Sequence, residues 1–259
     1  MTTPDSLPEK GFYNALAEEY DELTGAAGRA QAAERFAEEL TRRYAVTSAV
    51  DAACGTGLFA RALARRGVKV TGADISVEMI RRGREHPECA GLDIEWIEAP
   101  MQDLAERLPQ ASADAVLCLG NSLPHLLTDD DLRRTLRGFF ELLKPGGVAL
   151  VHLLNYNRVL AHRERLVGVT RAGDREYVRF YDFLDGLVRF NALSIRWRGE
   201  EADTQWRATE LRPYRVEELT AEMTEAGFAN IERFARPIFD AFDPEESDTV
   251  MVVGKKIGV

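Results

Sequence analysis

From residue 46 onward, short runs of apolar and β-branched residues alternate with longer segments whose apolar positions recur every three or four residues. The runs at 46–51, 68–74, 94–99, 115–120 and 147–154 are predicted strands, and the segments at 58–66, 77–85 and 129–143 are predicted helices. Such alternation specifies a parallel sheet with helices on both faces. The last of these helices has the clearest boundaries. Thr128 can cap it, Asp129, Asp130 and Asp131 occupy its first turn, and Lys144-Pro145-Gly146-Gly147 ends it. Before residue 46, Phe12, Leu16, Tyr20 and Leu23 repeat at helical spacing, and 29–44 is rich in Ala, Glu, Leu and Arg, so 12–44 reads as two helices broken at Thr24-Gly25.

The rhythm breaks over 163–210. There 177–183, 187–197 and 204–211 are predicted antiparallel strands joined by Asp185-Gly186 and by 199–203. It then resumes with a helix at 216–226 ended by Gly227, a strand near 231–235 and a last strand at 249–256. The expected fold is α/β, a doubly wound, Rossmann-like and mostly parallel seven-stranded sheet with a terminal antiparallel hairpin and an antiparallel β insertion. The expected divisions are an N-terminal helical lid over 1–45, a cofactor-binding core over 46–162, the β insertion over 163–210, and completion of the core sheet over 211–259.

Composition narrows the function. The chain has 259 residues, 45% hydrophobic and 29% charged, which supports a buried core and excludes a disordered or disulfide-stapled scaffold. Acidic residues number 43 against 33 basic, a net charge of −10 that repels phosphate backbones and argues against nucleic acid as a partner. Cys54, Cys89 and Cys118 lack zinc-site spacing, and the histidines lack metal-ligand spacing, so no metal is expected. The odd cysteine count, the absence of a leader pattern in MTTPDSLPEK and the absence of an 18-residue apolar run lead to the expectation of a cytoplasmic protein without a membrane partner.

The most informative stretch is Asp51-Ala52-Ala53-Cys54-Gly55-Thr56-Gly57, ending the first predicted strand and opening a helix. Glycine there lets a ligand approach the backbone. Asp74 ends the second strand, 23 residues further on, where a carboxylate can accept both hydroxyls of a ribose. A pyrophosphate would be opposed by Asp51, and Leu58-Phe59 stand where a dinucleotide fingerprint has its third glycine. A cationic nucleoside such as S-adenosylmethionine suits the carboxylate.

With these residues the sequence resembles the class I S-adenosylmethionine-dependent methyltransferases over nearly its whole length. Residues 51–57 resemble the family's first motif, and Ala73-Asp74-Ile75-Ser76 with Met79 its second. Pro100-Met101-Gln102-Asp103 stand where the family encloses the adenine, Leu119-Gly120-Asn121-Ser122 beside the methyl group, and the strands around 239–256 where it has a reversed hairpin. The resemblance implies S-adenosylmethionine as cofactor. It implies that Asp51, Ala53, Gly55 and Gly57 hold the methionine end, that Asp74 and Ile75 hold the ribose, and that Met79, Met101 and Gln102 surround the adenine. Leu119 and Gly120 would complete the site, with Tyr20 and Arg29 at the cofactor's carboxylate. Read from the residues alone, either methionine could simply pack in the core, Asp103 could cap a helix, and Tyr13 and Tyr20 could only pack on the sheet.

Within that family, 118–126 and Asn155-Tyr156 resemble the glycine and sarcosine N-methyltransferases, whose arginine before Asn-Tyr is replaced here by Leu154. The insertion holds nine arginines and nine acids, which reads as an internally paired, solvated surface, although one of these arginines could replace the missing one. His125, Tyr156 and Asn121 are the candidate catalytic residues. His125 could instead cap a helix, and His152, in an apolar strand, reads as a hydrogen-bonded core histidine. The expected activity is N-methylation of a small-molecule amine by direct in-line transfer, the insertion serving as a lid or as a contact in a homo-oligomer. A small-molecule O-methyltransferase and a non-catalytic S-adenosylmethionine-binding regulator share the same motifs.

Overall fold

The computed structural model describes residues 4–258. The chain opens with helices α1 (Glu9–Leu16), α2 (Tyr20–Thr24) and α3 (Ala26–Tyr44). Strand β1 (Ser48–Ala52), α4 (Leu58–Ala64), β2 (Lys69–Asp74), α5 (Val77–Glu85), β3 (Ile94–Glu98), α6 (Leu104–Arg107), β4 (Ala113–Cys118), α7 (Asp129–Leu142), β5 (Leu143–Leu154) and α8 (Tyr156–His162) follow. Next come β6 (Leu166–Ala172), β7 (Arg175–Phe183), β8 (Val188–Arg198) and β9 (Glu201–Leu211), then α9 (Val216–Glu225), β10 (Ala229–Phe234) and β11 (Thr249–Lys255).

Seven strands form one sheet in the order β10-β11-β5-β4-β1-β2-β3, and β6 to β9 form a second, four-stranded meander. β1 pairs in parallel with both β2 and β4, whereas β11 runs antiparallel to β5 and β10. The chain builds outward from β1 through β2 to β3 and then returns to β1's other side with β4. That reversal opens a crevice at the carboxyl ends of β1 and β4, where ligands bind in open α/β sheets. Alternating side chains divide the core into two layers. Val50, Val116, Cys118, Val151 and Val252 pack with Leu136, Phe139 and Leu219 on one face. Ala49, Leu117, Leu150 and Met251 pack with Phe36, Leu40 and Leu63 on the other.

Local chemistry sets the helix starts near the crevice. The Ser76 hydroxyl accepts from the Met79 amide at 3.2 Å to cap α5, and Thr128 accepts from Asp131 at 3.1 Å to cap α7. Three expectations need correction. The amino-terminal segment is three helices, because α1 stops at Leu16 and α2 is pinned separately, through Asp21 to Thr56 at 2.6 Å and Glu22 to Tyr177 at 2.6 Å. The insertion has a fourth strand, β6, interrupted in its pattern by Gly168, where an added Cβ would lie 2.9 Å from Arg179 Nη2. The terminal hairpin pairs 229–234 with 249–255, and Phe239 lies in the loop between them at φ 61°.

A third apolar cluster, Phe12, Leu16 and Leu23 with Tyr177 and Ala192, fastens α1 and α2 to the four-stranded sheet. No helix among the described residues is long and apolar enough to cross a membrane.

Candidate active site

The crevice is built on strained backbone. Ala53 (φ 69°), just past β1, and the consecutive pair Gly120 (φ 74°) and Asn121 (φ 69°), just past β4, all lie in the left-handed region, which is costly for the two residues that carry a Cβ. The turns aim backbone amides inward. Asp74 at the end of β2 accepts from the Gly55 amide at 2.8 Å and the Ser76 amide at 2.9 Å, one on each carboxylate oxygen. Each oxygen retains a lone pair for a ligand hydroxyl.

Three carboxyl groups converge here without a cationic partner among the described residues: Asp51, Asp74 and Glu9 on α1. Burial, reinforced by the charge of Asp74, pushes Asp51 up to about 7, against a backbone bond from Ala60. Burial raises Asp74 to about 6 even though the Ser76 and Gly55 amides favour its ionised form. Burial and then the charge of Asp74 raise Glu9 to about 8. Acids raised by burial, and in Asp51 and Glu9 also by the charge of Asp74, fit a cationic ligand, which would relieve both the repulsion and the lost solvation.

The glycines divide the work. A Cβ on Gly55 would meet the Tyr20 ring at 3.3 Å, so this glycine faces the crevice. A Cβ on Gly57 (φ 82°) would fall 2.2 Å from the Trp96 ring, so the space above Gly57 belongs to packing between α4 and β3. Met79 and Met101 are buried, and the Met101 sulfur lies 4.0 Å from the Cys118 thiol. Leu119 is buried at the end of β4 and Ile75 partly buried beside Asp74. Gln102 lines a separate surface groove with Asp130 and Arg134.

Beside the crevice lies a cavity of about 200 Å³ that brings together Tyr20, Arg29, Gly120, Asn121 and His125. Its remaining walls include Phe12, Tyr13 and Leu16 of α1, Leu154 of β5, and Val167, Arg179, Tyr181 and Phe190 of the insertion. Asn121 is fully engaged: Oδ1 accepts from the Leu154 amide at 3.0 Å and Nδ2 donates to the Tyr156 hydroxyl at 3.1 Å. Tyr156 in turn meets the Tyr181 hydroxyl at 3.2 Å, and burial raises its phenol to about 12. His125 Nε2 meets the Tyr13 hydroxyl at 2.9 Å, and burial lowers the imidazole to about 3, leaving it neutral at physiological pH. His152 lines the cavity with neither ring nitrogen hydrogen-bonded, so it is not the satisfied core residue its strand pattern suggests. Burial and the Arg29 charge lower it to about 4.

Glu9, Arg179 and Tyr181 escape sequence reasoning. For the last two a signal exists: Tyr177, Arg179 and Tyr181 alternate along β7 and share one face, on which both tyrosines are buried.

Residues 49–147 match the family model described as a methyltransferase domain. The chain is 30% identical over 171 residues to the ubiquinone biosynthesis O-methyltransferase of Paracidovorax citrulli (strain AAC00-1), covering 63% of this chain and 67% of that protein. The chain belongs to the S-adenosylmethionine-dependent methyltransferases. This methyltransferase is also 26% identical over 251 residues to the glycine/sarcosine N-methyltransferase of Aphanothece halophytica, covering 95% of this chain and 89% of that one. Its fold is similar to that of an S-adenosylmethionine-dependent methyltransferase from Clostridium acetobutylicum ATCC 824, with a TM-score of 0.78, 20% identity, and coverage of 95% and 99% of the two chains. Its cofactor is S-adenosylmethionine, whose positive charge and ribose diol fit the three buried carboxyls and the free lone pairs of Asp74.

Proposed function

We propose that this methyltransferase transfers a methyl group directly to the nitrogen of a small amine bound in the cavity. The observation that carries this reading is that the polar groups at the cavity are already engaged: His125 Nε2 is taken up by Tyr13, and the Tyr156 hydroxyl, buried behind the wall, by Asn121 and Tyr181. His125 is held neutral with a depressed pKa, while the Tyr156 phenol is held protonated by burial. A hydroxyl acceptor needs a base to remove its proton, whereas a neutral amine brings its own lone pair. The similarity to the glycine/sarcosine N-methyltransferase supports the same reading, since it spans 95% of the chain against 63% for the O-methyltransferase.

On this reading Asp51 and the backbone at Ala53 and Gly55 hold the methionyl end of the cofactor, Gly57 seats the turn against Trp96, and Asp74, with Ile75 beside it, holds the ribose. Met79 and Met101 flank the adenine, Gln102 standing apart in its own groove, and Leu119 and Gly120 bound the methyl. Tyr20 and Arg29 meet the cofactor's carboxylate. Bound S-adenosylmethionine supplies a methyl on a cationic sulfur, which an amine lone pair takes in one in-line displacement. Asn121 and His125 stand in the cavity wall beside the acceptor, Tyr156 braces Asn121 from behind, and the insertion and α1 exclude water. Catalysis then rests on positioning and desolvation.

The test is incubation with methyl-labelled S-adenosylmethionine and a panel of amines, phenols and hydroxy acids, with products identified by mass spectrometry. N-methyl products are expected. Labelled oxygen ethers or esters alone would overturn the amine reading, and cofactor binding without any labelled product would point to a regulator.

A further inference from the structure

The nine arginines of residues 163–210 do not have equivalent surroundings. Arg165, Arg171, Arg175, Arg196, Arg198 and Arg207 each face a carboxylate. Arg179 alone among the nine lines the cavity. It stands on the buried face of β7 between Tyr177 and Tyr181, with Nη2 donating to Thr170 Oγ1 at 3.3 Å and Nε buried without a partner. The glycine at 168 leaves room for this guanidinium, because a Cβ there would press on Nη2.

The neighbouring charge does not satisfy Arg179. Burial lowers its pKa first and the Arg29 guanidinium lowers it further, while the groups acting the other way are the hydroxyls of Tyr20 and Tyr181 rather than a carboxylate. A guanidinium taken out of water without a counterion is costly, and bringing a second one near it more so. An anion entering the cavity would relieve that cost. The cofactor carboxylate accounts for Arg29 on the reading given above, and Arg179 is left over. Beside its polar groups the cavity has an apolar part, with Leu16, Leu23, Val167 and Phe190 in its walls. Position 154 contributes only a leucine.

We propose that Arg179 is the anion clamp of the acceptor site, and that the acceptor carries a carboxylate attached to an apolar body. The insertion therefore determines specificity as well as covering the site. This inference rests on the assignment of the cavity as the acceptor site, and its test is kept separate from cofactor binding.

The probe is 3-phenylpropanoate compared with 3-phenylpropanamide, which matches it in shape but lacks the charge. Each is titrated by ligand-observed NMR into the whole chain, with and without saturating S-adenosylhomocysteine. The carboxylate is expected to bind saturably, roughly tenfold or more tighter than the amide, as a charge-assisted bond requires. Arg179→Gln should erase that preference and Arg179→Lys retain part of it, while S-adenosylhomocysteine affinity, measured by calorimetry, stays unchanged in both. Equal binding of acid and amide by the unmodified chain would overturn the proposal without recourse to any variant. A large loss of S-adenosylhomocysteine affinity in Arg179→Gln would also overturn it, by assigning Arg179 to the cofactor. If the unmodified chain fails to bind S-adenosylhomocysteine, the cofactor assignments fail, and the acid–amide comparison made without it still decides the clamp.

Discussion

Tyr13 and His125, 112 residues apart in the chain, meet through a 2.9 Å hydrogen bond that ties α1 to the turn after β4. Their rings also pack edge to face, 5.2 Å apart. His125 Nδ1 is buried without a partner, so this bond is the one satisfied position on the imidazole among the described residues. Tyr13→Phe should destabilise the fold by about 1 to 3 kcal/mol, the cost of an unsatisfied buried polar group. Hydrogen exchange in α1 should accelerate in the same variant. Unchanged exchange there would mean that the apolar cluster around Phe12 and Leu16 alone holds the helix.

The buried carboxyls make stability depend on pH in a definite direction. Asp51 moves from 3.8 to about 7 on folding, so between those values the folded chain binds more protons than the unfolded one. Stability of the cofactor-free chain should therefore fall as pH rises through that window, with Asp74 adding to the fall up to about 6. S-adenosylmethionine favours the ionised forms, so its affinity should rise over the same range and the melting curves with and without it should diverge towards pH 8. Asp51→Asn should flatten the pH dependence of the cofactor-free chain and weaken cofactor binding. Calorimetry and thermal melts at four or five pH values would check both.

Gly57 and Gly55 should respond differently to alanine. At Gly57 the new methyl would overlap the Trp96 ring on a left-handed backbone, and a loss of roughly 2 kcal/mol or more is expected, partly rescued by Trp96→Leu. Gly55 is also left-handed (φ 56°), but its neighbour is the Tyr20 ring at 3.3 Å, so the alanine variant should lose only about 1 kcal/mol, from the backbone, while losing cofactor affinity. Equal melting temperatures for the two variants would contradict this division.

The pH profile of turnover should belong to the acceptor. With S-adenosylmethionine saturating, the His125 imidazole is already neutral above about 3 and the Tyr156 phenol stays protonated to about 12. Then kcat/KM should climb with pH until the acceptor's own ammonium group has lost its proton. It should shift accordingly between amines of different basicity. An inflection at a fixed pH for every acceptor would reveal a general base on the protein.

Much of the fold is legible because local signals agree with tertiary ones. Helix α5 spans 77–85 as its periodicity requires, with the Ser76 cap in place, and Asp74 ends β2 where the motif demands it. The break between α1 and α2 is invisible because no glycine or proline marks it; distant partners, Thr56 and Tyr177, pull α2 out of line. β6 is hidden by Gly168 and by its edge position, which leaves Leu166 and Val169 exposed and removes the alternation that betrays a strand. At the site, the residues that end β1, β2 and β4 are readable from motif spacing. Arg179 is masked by eight other arginines in the same stretch, and its place in the cavity wall is what distinguishes it.

The segment ahead of α1 has a further effect. The Leu7 amide donates to Ala208 O at 2.8 Å and the Leu7 carbonyl accepts from Thr209 Oγ1 at 2.9 Å, so this segment is fastened to β9. α1 is thus moored at one end to the four-stranded sheet and along its length to the crevice, through Tyr13 to His125 and through Asn14 to Ser76 at 2.6 Å. The four-stranded sheet and the helix are thus coupled, and neither can shift from the crevice without straining the bonds that hold the other.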